Sequence, residues 1–175
     1  MRALLLTLAL TGGALAQSNP AQQMGTPPGL QPSPGFTLSG ALTGRSFTPA
    51  DLQALPATNL TVTYRVNGQP QTHSYTGVLL STLLTQAKPT FDPQVKNDAL
   101  RYYVLARGSD GYTALISWGE LDPGFGNRSV LVAYRQDGQP ISGKEGALRL
   151  IVPGDVKGGR SVSALADIQL VRGGP

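Results

Sequence analysis

The stretch Ile151–Leu170, IVPGDVKGGRSVSALADIQL, gathers the groups of this chain best suited to holding an anion. Arg160 offers a planar guanidinium fork, Ser161 a hydroxyl and Lys157 a compact positive charge. Gly158 and Gly159 leave their backbone amides unshielded by a side chain. A phosphate or another small anion fits that set. A second reading needs no ligand: the glycines supply positive φ for a turn, and Arg160 faces water. Both readings stand at the level of sequence.

Other residues with chemical potential are sparse. His73 is the single histidine, so a multi-histidine metal site is excluded, and no Ser-His-acid order is evident. It sits in strand-like sequence beside Tyr75, where an exposed, a buried and a pocket-lining placement are all open. The chain has no cysteine, which removes disulfides, thiolate ligands and cysteine nucleophiles. Asp110 in SDGY and Asp122 before Pro123 carry turn chemistry. Glu120 and Asp122 stand two apart, without the facing geometry that glycoside hydrolysis needs. Trp118, Tyr102, Tyr103 and Tyr112 read as residues covering a sheet. No catalytic residue and no metal ligand is assigned.

The elements that must position these groups follow from periodicity and turn signals. Residues 36–42, FTLSGAL, form a candidate strand, followed by a helix capped by Thr48 with Pro49 at its first position and Asp51 three residues after the cap. NLTVTYRV and QTHSY alternate as strands around the turn Asn67–Pro70. Thr76 is expected to cap a second helix in which Leu79, Leu80, Leu83 and Leu84 share a face. Beyond Leu100 come LRYYVLAR, YTALIS, a helical turn after Ser117, SVLVAYR, ALRLIVP and SALADIQLVR, separated by GSDG and QDGQ turns. Arg149 alternates with Leu148 and Leu150 and should point away from the core. The expected fold class is α+β, mostly β with a few short helices.

At 175 residues the chain fits one modest domain. Residues 1–16 have a charged start at Arg2, an apolar stretch and an Ala-Leu-Ala cleavage pattern ending at Ala16, the layout of a cleavable signal peptide. The apolar stretch is too short for a stable membrane anchor, so a periplasmic or secreted protein is expected. Residues 17–35 read as a flexible Pro/Gly/Gln-rich leader, and residues 36–172 as the domain. Formal charge is +4, but the basic residues are scattered and form no nucleic-acid stripe.

Four stretches in fixed order carry a family resemblance: YTGVLLSTLL (75–84), GSDGYTALISWGEL (108–121), VLVAYRQDGQPISGKEGALRLIVPG (130–154) and GGRSVSALADIQL (158–170). Together they resemble the molybdopterin-binding domain of the sulfite oxidase family, in its small stand-alone bacterial form. The resemblance implies that family's fold, an oxidoreductase activity, and molybdopterin as cofactor. It implies a last loop beside the pterin phosphate, where Arg160 and Ser161 match a basic-Ser pair, with Lys157, Gly158 and Gly159 adjacent; a pocket near that site is one of the placements open to His73. The family's one metal-ligating cysteine belongs ahead of the aromatic-x-G-V helix, and VTYRVNGQPQTHSYTGV has none. Catalytic capacity is therefore open, and the residues themselves favour no bound cofactor. The alternative is a cysteine-less binding module for a small anion, a peptide or an envelope protein.

Overall fold

The computed structural model describes residues 33–174. The expected signal peptide and most of the expected leader lie outside them. Two five-stranded sheets dominate. The first contains β1 (Phe36–Gly40), β2 (Arg45–Phe47), β5 (Tyr102–Gly108), β6 (Thr113–Ser117) and β10 (Leu165–Arg172), in the order β2-β1-β10-β5-β6. The second contains β3 (Thr58–Val66), β4 (Gln69–Leu79), β7 (Leu131–Gln136) and β8 (Gln139–Pro140) in that order, with β9 (Arg149–Ile151) also paired to β7. Among the described residues, every pairing between these strands is antiparallel except β1 with β10. Three short helices, α1 (Pro49–Gln53), α2 (Leu80–Gln86) and α3 (Trp118–Leu121), complete the α+β architecture. No helix among the described residues is long and apolar enough to cross a membrane.

Alternation along the strands builds two apolar clusters. Leu38, Val78, Val104, Ile116, Val132, Leu150, Ile168 and Leu170 belong to the main core. The alternate residues of the second sheet, Val62, Tyr75, Leu131, Ala133 and Ile151, form a smaller cluster capped by Ile141. Residues 131–134 are therefore buried on both faces, which is why LVAY has no polar member. Trp118 is a core residue, its ring edge-on to Phe91 at 4.7 Å.

Local signals hold at both capped helices. Thr48 and Asp51 form a capping box on α1, and Ser117 and Glu120 form one on α3. The hairpin turns Asn67-Gly68 and Asp137-Gly138 place both residues at positive φ, the geometry that matches strand twist.

Thr76 does not cap α2. Strand β4 runs on to Leu79, which is the N-cap and offers no side-chain hydrogen bond. The backbone of residues 77–79 is taken up by β7, through the pairs Gly77–Ala133, Val78–Val132 and Leu79–Leu131. The Thr76 hydroxyl instead donates to Asn59 Oδ1 on β3, at 2.7 Å. Strand pairing thus overrides a capping propensity worth about 1 kcal/mol.

Gly77 sits where β4 shifts register against β7. A Cβ there would collide with the Val132 carbonyl and approach Ala133 Cα to 2.7 Å. Gly77→Ala is expected to destabilise the domain by about 1–3 kcal/mol. Urea unfolding should record a lower midpoint at unchanged slope; an unchanged midpoint would contradict the close approach.

Candidate functional site

The loop after β9 leaves Ile151, turns at Gly154 (φ +86°), and reaches across to β3. There Arg65 N donates to the Val156 carbonyl at 2.9 Å, and Arg65 and Lys157 form a parallel bridge. A single 3-10 turn over Gly158–Arg160 follows, and the chain comes back beside β9 through Leu150 and Val162. The loop thereby ties one edge strand of the second sheet to the other. Positive φ belongs to Gly154, not to Gly158 or Gly159. Gly158 serves close approach instead, while Gly159 is exposed with room for a Cβ. The Tyr64 ring lies 3.3 Å from where a Gly158 Cβ would be, and the Tyr112 hydroxyl donates to the Gly159 carbonyl.

Arg160 does not simply face water. Its Nε and Nη2 donate to the two oxygens of Asp155 at 2.8 and 2.7 Å, a bidentate fork. Its Nη1 donates to Glu120 Oε1 at 3.0 Å. Arg128 closes a ring: its Nη1 lies 3.1 Å from Asp155 Oδ1 and its Nε 3.6 Å from Glu120 Oε1. Two guanidinium groups thus alternate with two carboxylates. All four side chains are about one-fifth to one-third exposed. Glu120 does double duty, since its Oε2 also accepts from Ser117 N at 3.1 Å in the cap of α3. Ser161 Oγ accepts from Val152 N at 3.2 Å and so pins the loop's return. Lys157 is exposed.

The charges respond to this ring. Hydrogen bonds and charge from Arg160 hold Asp155 below the usual carboxylate range. Burial works to raise Glu120, but the bonds from Arg160 and Ser117 outweigh it and the net shift is downward. Arg160 is held more firmly protonated by Asp155, then by Glu120.

His73 makes no hydrogen bond to Lys157, Arg160 or Ser161, although the Tyr64 ring lies near both it and Gly158. On β4 its Nδ1 lies 2.7 Å from Asp137 Oδ2, in the β7–β8 turn, and Gln136 Nε2 lies 3.3 Å from the same nitrogen. Asp137 Oδ1 accepts from Ser74 N at 2.9 Å, and the His73 hydrogen bond is the main reason this carboxyl sits below its ordinary range. The rings of Tyr64 and Tyr75 lie 6.1 and 6.2 Å from the imidazole. Arg149 belongs to the same face. Its side chain points off the main core but is only 13% exposed, with Nη1 donating to Gln136 Oε1 at 2.9 Å and its guanidinium 5.8 Å from the Tyr75 ring centre. Asp110 and Asp122 are turn residues, accepting from Tyr112 N and Gly124 N. Among the described residues no group of three or more His, Asp or Glu side chains could hold a metal ion.

Sequence reasoning missed Asp155, Arg128 and Asp137 as partners. Asp155 offered the signal of a carboxylate five residues ahead of Arg160 in one loop. Arg128 and Asp137 gave none, since their partners are brought near only by the sheets.

Two sheets tied together by the loop after β9 make up the fold. The solved sulfane dehydrogenase SoxCD from Paracoccus pantotrophus shares it at a TM-score of 0.60 and 20% identity, over 78% of this chain and 37% of that one. The sequence model of the oxidoreductase molybdopterin binding domain matches residues 36–173, and the chain belongs to that family. It is also similar to two NADPH nitrate reductases. The Neurospora crassa protein is 33% identical over 113 residues, 61% of this chain, and the Fusarium oxysporum protein is 33% identical over 106 residues, 56% of this chain. The chain spans 11% and 10% of the length of those relatives.

The ring makes an acid-dependence prediction. Asp155 and Glu120 have lowered pKa values in the folded state, so their contribution is present above the unfolded carboxylate range, about pH 4, and is lost as pH falls through their folded values. Arg160→Gln should cost about 1–3 kcal/mol at pH 7, with the difference from the parent shrinking below about pH 4. Chemical denaturation across pH 2–8 measures it; a deficit independent of pH would contradict the pairing.

Proposed function

We propose that this chain is an exported member of the molybdopterin-binding family that acts as a binding module rather than as a molybdenum redox enzyme. One observation carries the reading: the guanidinium of Arg160, which the resemblance would offer to a pterin phosphate, already grips Asp155 and Glu120. An incoming phosphate would have to break that fork and would meet two carboxylates at close range. The ring of Arg128, Arg160, Asp155 and Glu120 is formally neutral, so it exerts little net pull on a dianion.

Three further facts support it. The chain has no cysteine, and oxygen or nitrogen side chains are poor substitutes for a thiolate on molybdenum. The loop is drawn against β3 by a backbone bond from Arg65 to Val156. The Tyr64 ring lies against Gly158, 3.3 Å from where its Cβ would be, and narrows the approach from that side. These residues do not fit a pterin-held molybdenum. Nitrate reduction with NADPH, the activity for which the curated relatives are named, is not carried over, because the chain matches only about a tenth of their length. The export reading rests on Arg2, the apolar stretch and Ala14-Leu15-Ala16. The partner class that this reading assigns is a small ligand or an envelope protein, not a nucleic acid.

Elemental analysis for molybdenum and tungsten, together with fluorescence of released, oxidised pterin, tests the reading on full-length protein expressed in its native host. Both should fall far below stoichiometric amounts. Near-stoichiometric metal and pterin would overturn it.

A further inference from the structure

The outer edge of the second sheet is β3, and its free backbone can be read residue by residue. Strands β3 and β4 keep unbroken antiparallel register from Thr58–Gly77 to Val66–Gln69. In such a ladder, alternate residues aim both backbone groups at the partner strand or both away from it. Arg65 N donates away from β4, to the Val156 carbonyl at 2.9 Å. That bond sets the phase, so Asn59, Thr61 and Thr63 also aim N–H and C=O away from β4. Among the described residues, no backbone group meets them there. The side chains of all three are exposed.

Long edge strands are ordinarily blunted by lysine, proline, a bulge or a covering loop. The loop after β9 pairs with β3 only at Arg65. The segment Thr58–Tyr64, TNLTVTY, has no charged residue, no proline and no bulge. Its side chains are already held in strand form, by the Thr63–Thr72 hydroxyl bond at 2.8 Å and the Thr76 bond to Asn59 at 2.7 Å. On the opposite face Val62 is buried, and Leu60 and Tyr64 pack partly buried against the second apolar cluster. An edge with this regularity and no guard is a template for one more strand.

We propose that β3 pairs antiparallel with β3 of a second copy of this chain, across a two-fold axis at Thr61. The open residues select this register, because it alone gives every one of them an open partner. Thr61 meets Thr61 of the second copy, and Asn59 meets Thr63. Each such pair exchanges both of its backbone bonds. The contact is isologous, so it closes at a dimer. On one face the threonine and asparagine side chains adjoin, a favourable cross-strand set. On the other, Leu60 lies beside Val62 of the second copy and carries the second apolar cluster across the axis. No like charges meet within this span, since Arg65 falls beyond it. The pairing uses a different surface from the Arg160 ring and is independent of what the loop binds.

Sedimentation velocity on the full chain tests it. A strand-edge contact is small, so the dimer is expected at roughly tens to hundreds of micromolar chain. Thr61→Pro removes an outward N–H and leaves the β3–β4 bonds intact, a change an edge strand tolerates; the dimer should be lost. Thr61→Lys sets two like charges at the axis and should weaken association by about tenfold or more; it decides the matter if Thr61→Pro fails to fold. The chain has no cysteine, so Thr61→Cys gives a cross-link of unambiguous origin. The Cα atoms of such a pair stand about 5.5 Å apart, inside the range a disulfide spans. Mild oxidation should give a reducible dimer from Thr61→Cys and far less from Asn59→Cys or Thr63→Cys at equal concentration. A parent that stays monomeric to about 1 mM would overturn the proposal and leave the edge to a strand of another protein. A dimer indifferent to both Thr61→Pro and Thr61→Lys, or equal cross-linking from all three cysteine variants, would overturn it as well.

Discussion

Two arginines and two carboxylates, no contact in the ring longer than 3.6 Å, fix the loop on which the functional reading turns. Each corner comes from a different place in the chain: Glu120 from α3, Arg128 from the segment ahead of β7, Asp155 from the loop after β9, and Arg160 from the 3-10 turn beyond it. Partial burial keeps these attractions from being screened as fully as surface pairs are. It also means that removing one corner leaves a charged group without its partner, which is costlier than the pair's net worth. Lys157 is the exposed positive charge left outside the ring.

The ring and the fold around it depend on each other. The capping box on α3 aims Glu120 with one oxygen at Ser117 and the other at Arg160. Ser161 holds the loop's return to Val152, the Tyr64 ring lies against Gly158, and the Tyr112 hydroxyl donates to the Gly159 carbonyl. A site built for an external anion keeps its donors unpaired; the guanidinium of this loop is paired internally with Asp155 and Glu120. The chain has the family's fold, and on the proposed reading its loop chemistry departs from it, which is the sense in which fold and function separate.

Much of the architecture was legible because it is local. The alternation of NLTVTYRV, the Ser117–Glu120 box and the Asn67-Gly68 turn each state their structure within a few residues. The α2 boundary was misread because Thr76 has a cap's chemistry, while the β7 partner that claims residues 77–79 lies more than fifty positions away. The site was legible only in part for the same reason. Arg160 and Ser161 announced a polar loop, but whether Arg160 meets a ligand or a carboxylate depends on Glu120, forty residues earlier. His73 paired with Asp137 across sixty-four residues, and Arg149, though it points off the main core, is only 13% exposed beside Gln136 and Glu145.

The central claim is that Asp155 and Glu120 hold the place an outside anion would take. Phosphate titration by ³¹P NMR, comparing the parent with Asp155→Asn, tests it most directly, with Asp155→Asn/Arg160→Gln as the control for binding elsewhere. The account predicts no saturable phosphate binding at the loop in the parent, a gain of binding when the Asp155 charge is removed, and loss of that gain when Arg160 is also removed. Phosphate binding by the parent that equals Asp155→Asn and disappears with Arg160→Gln would contradict it.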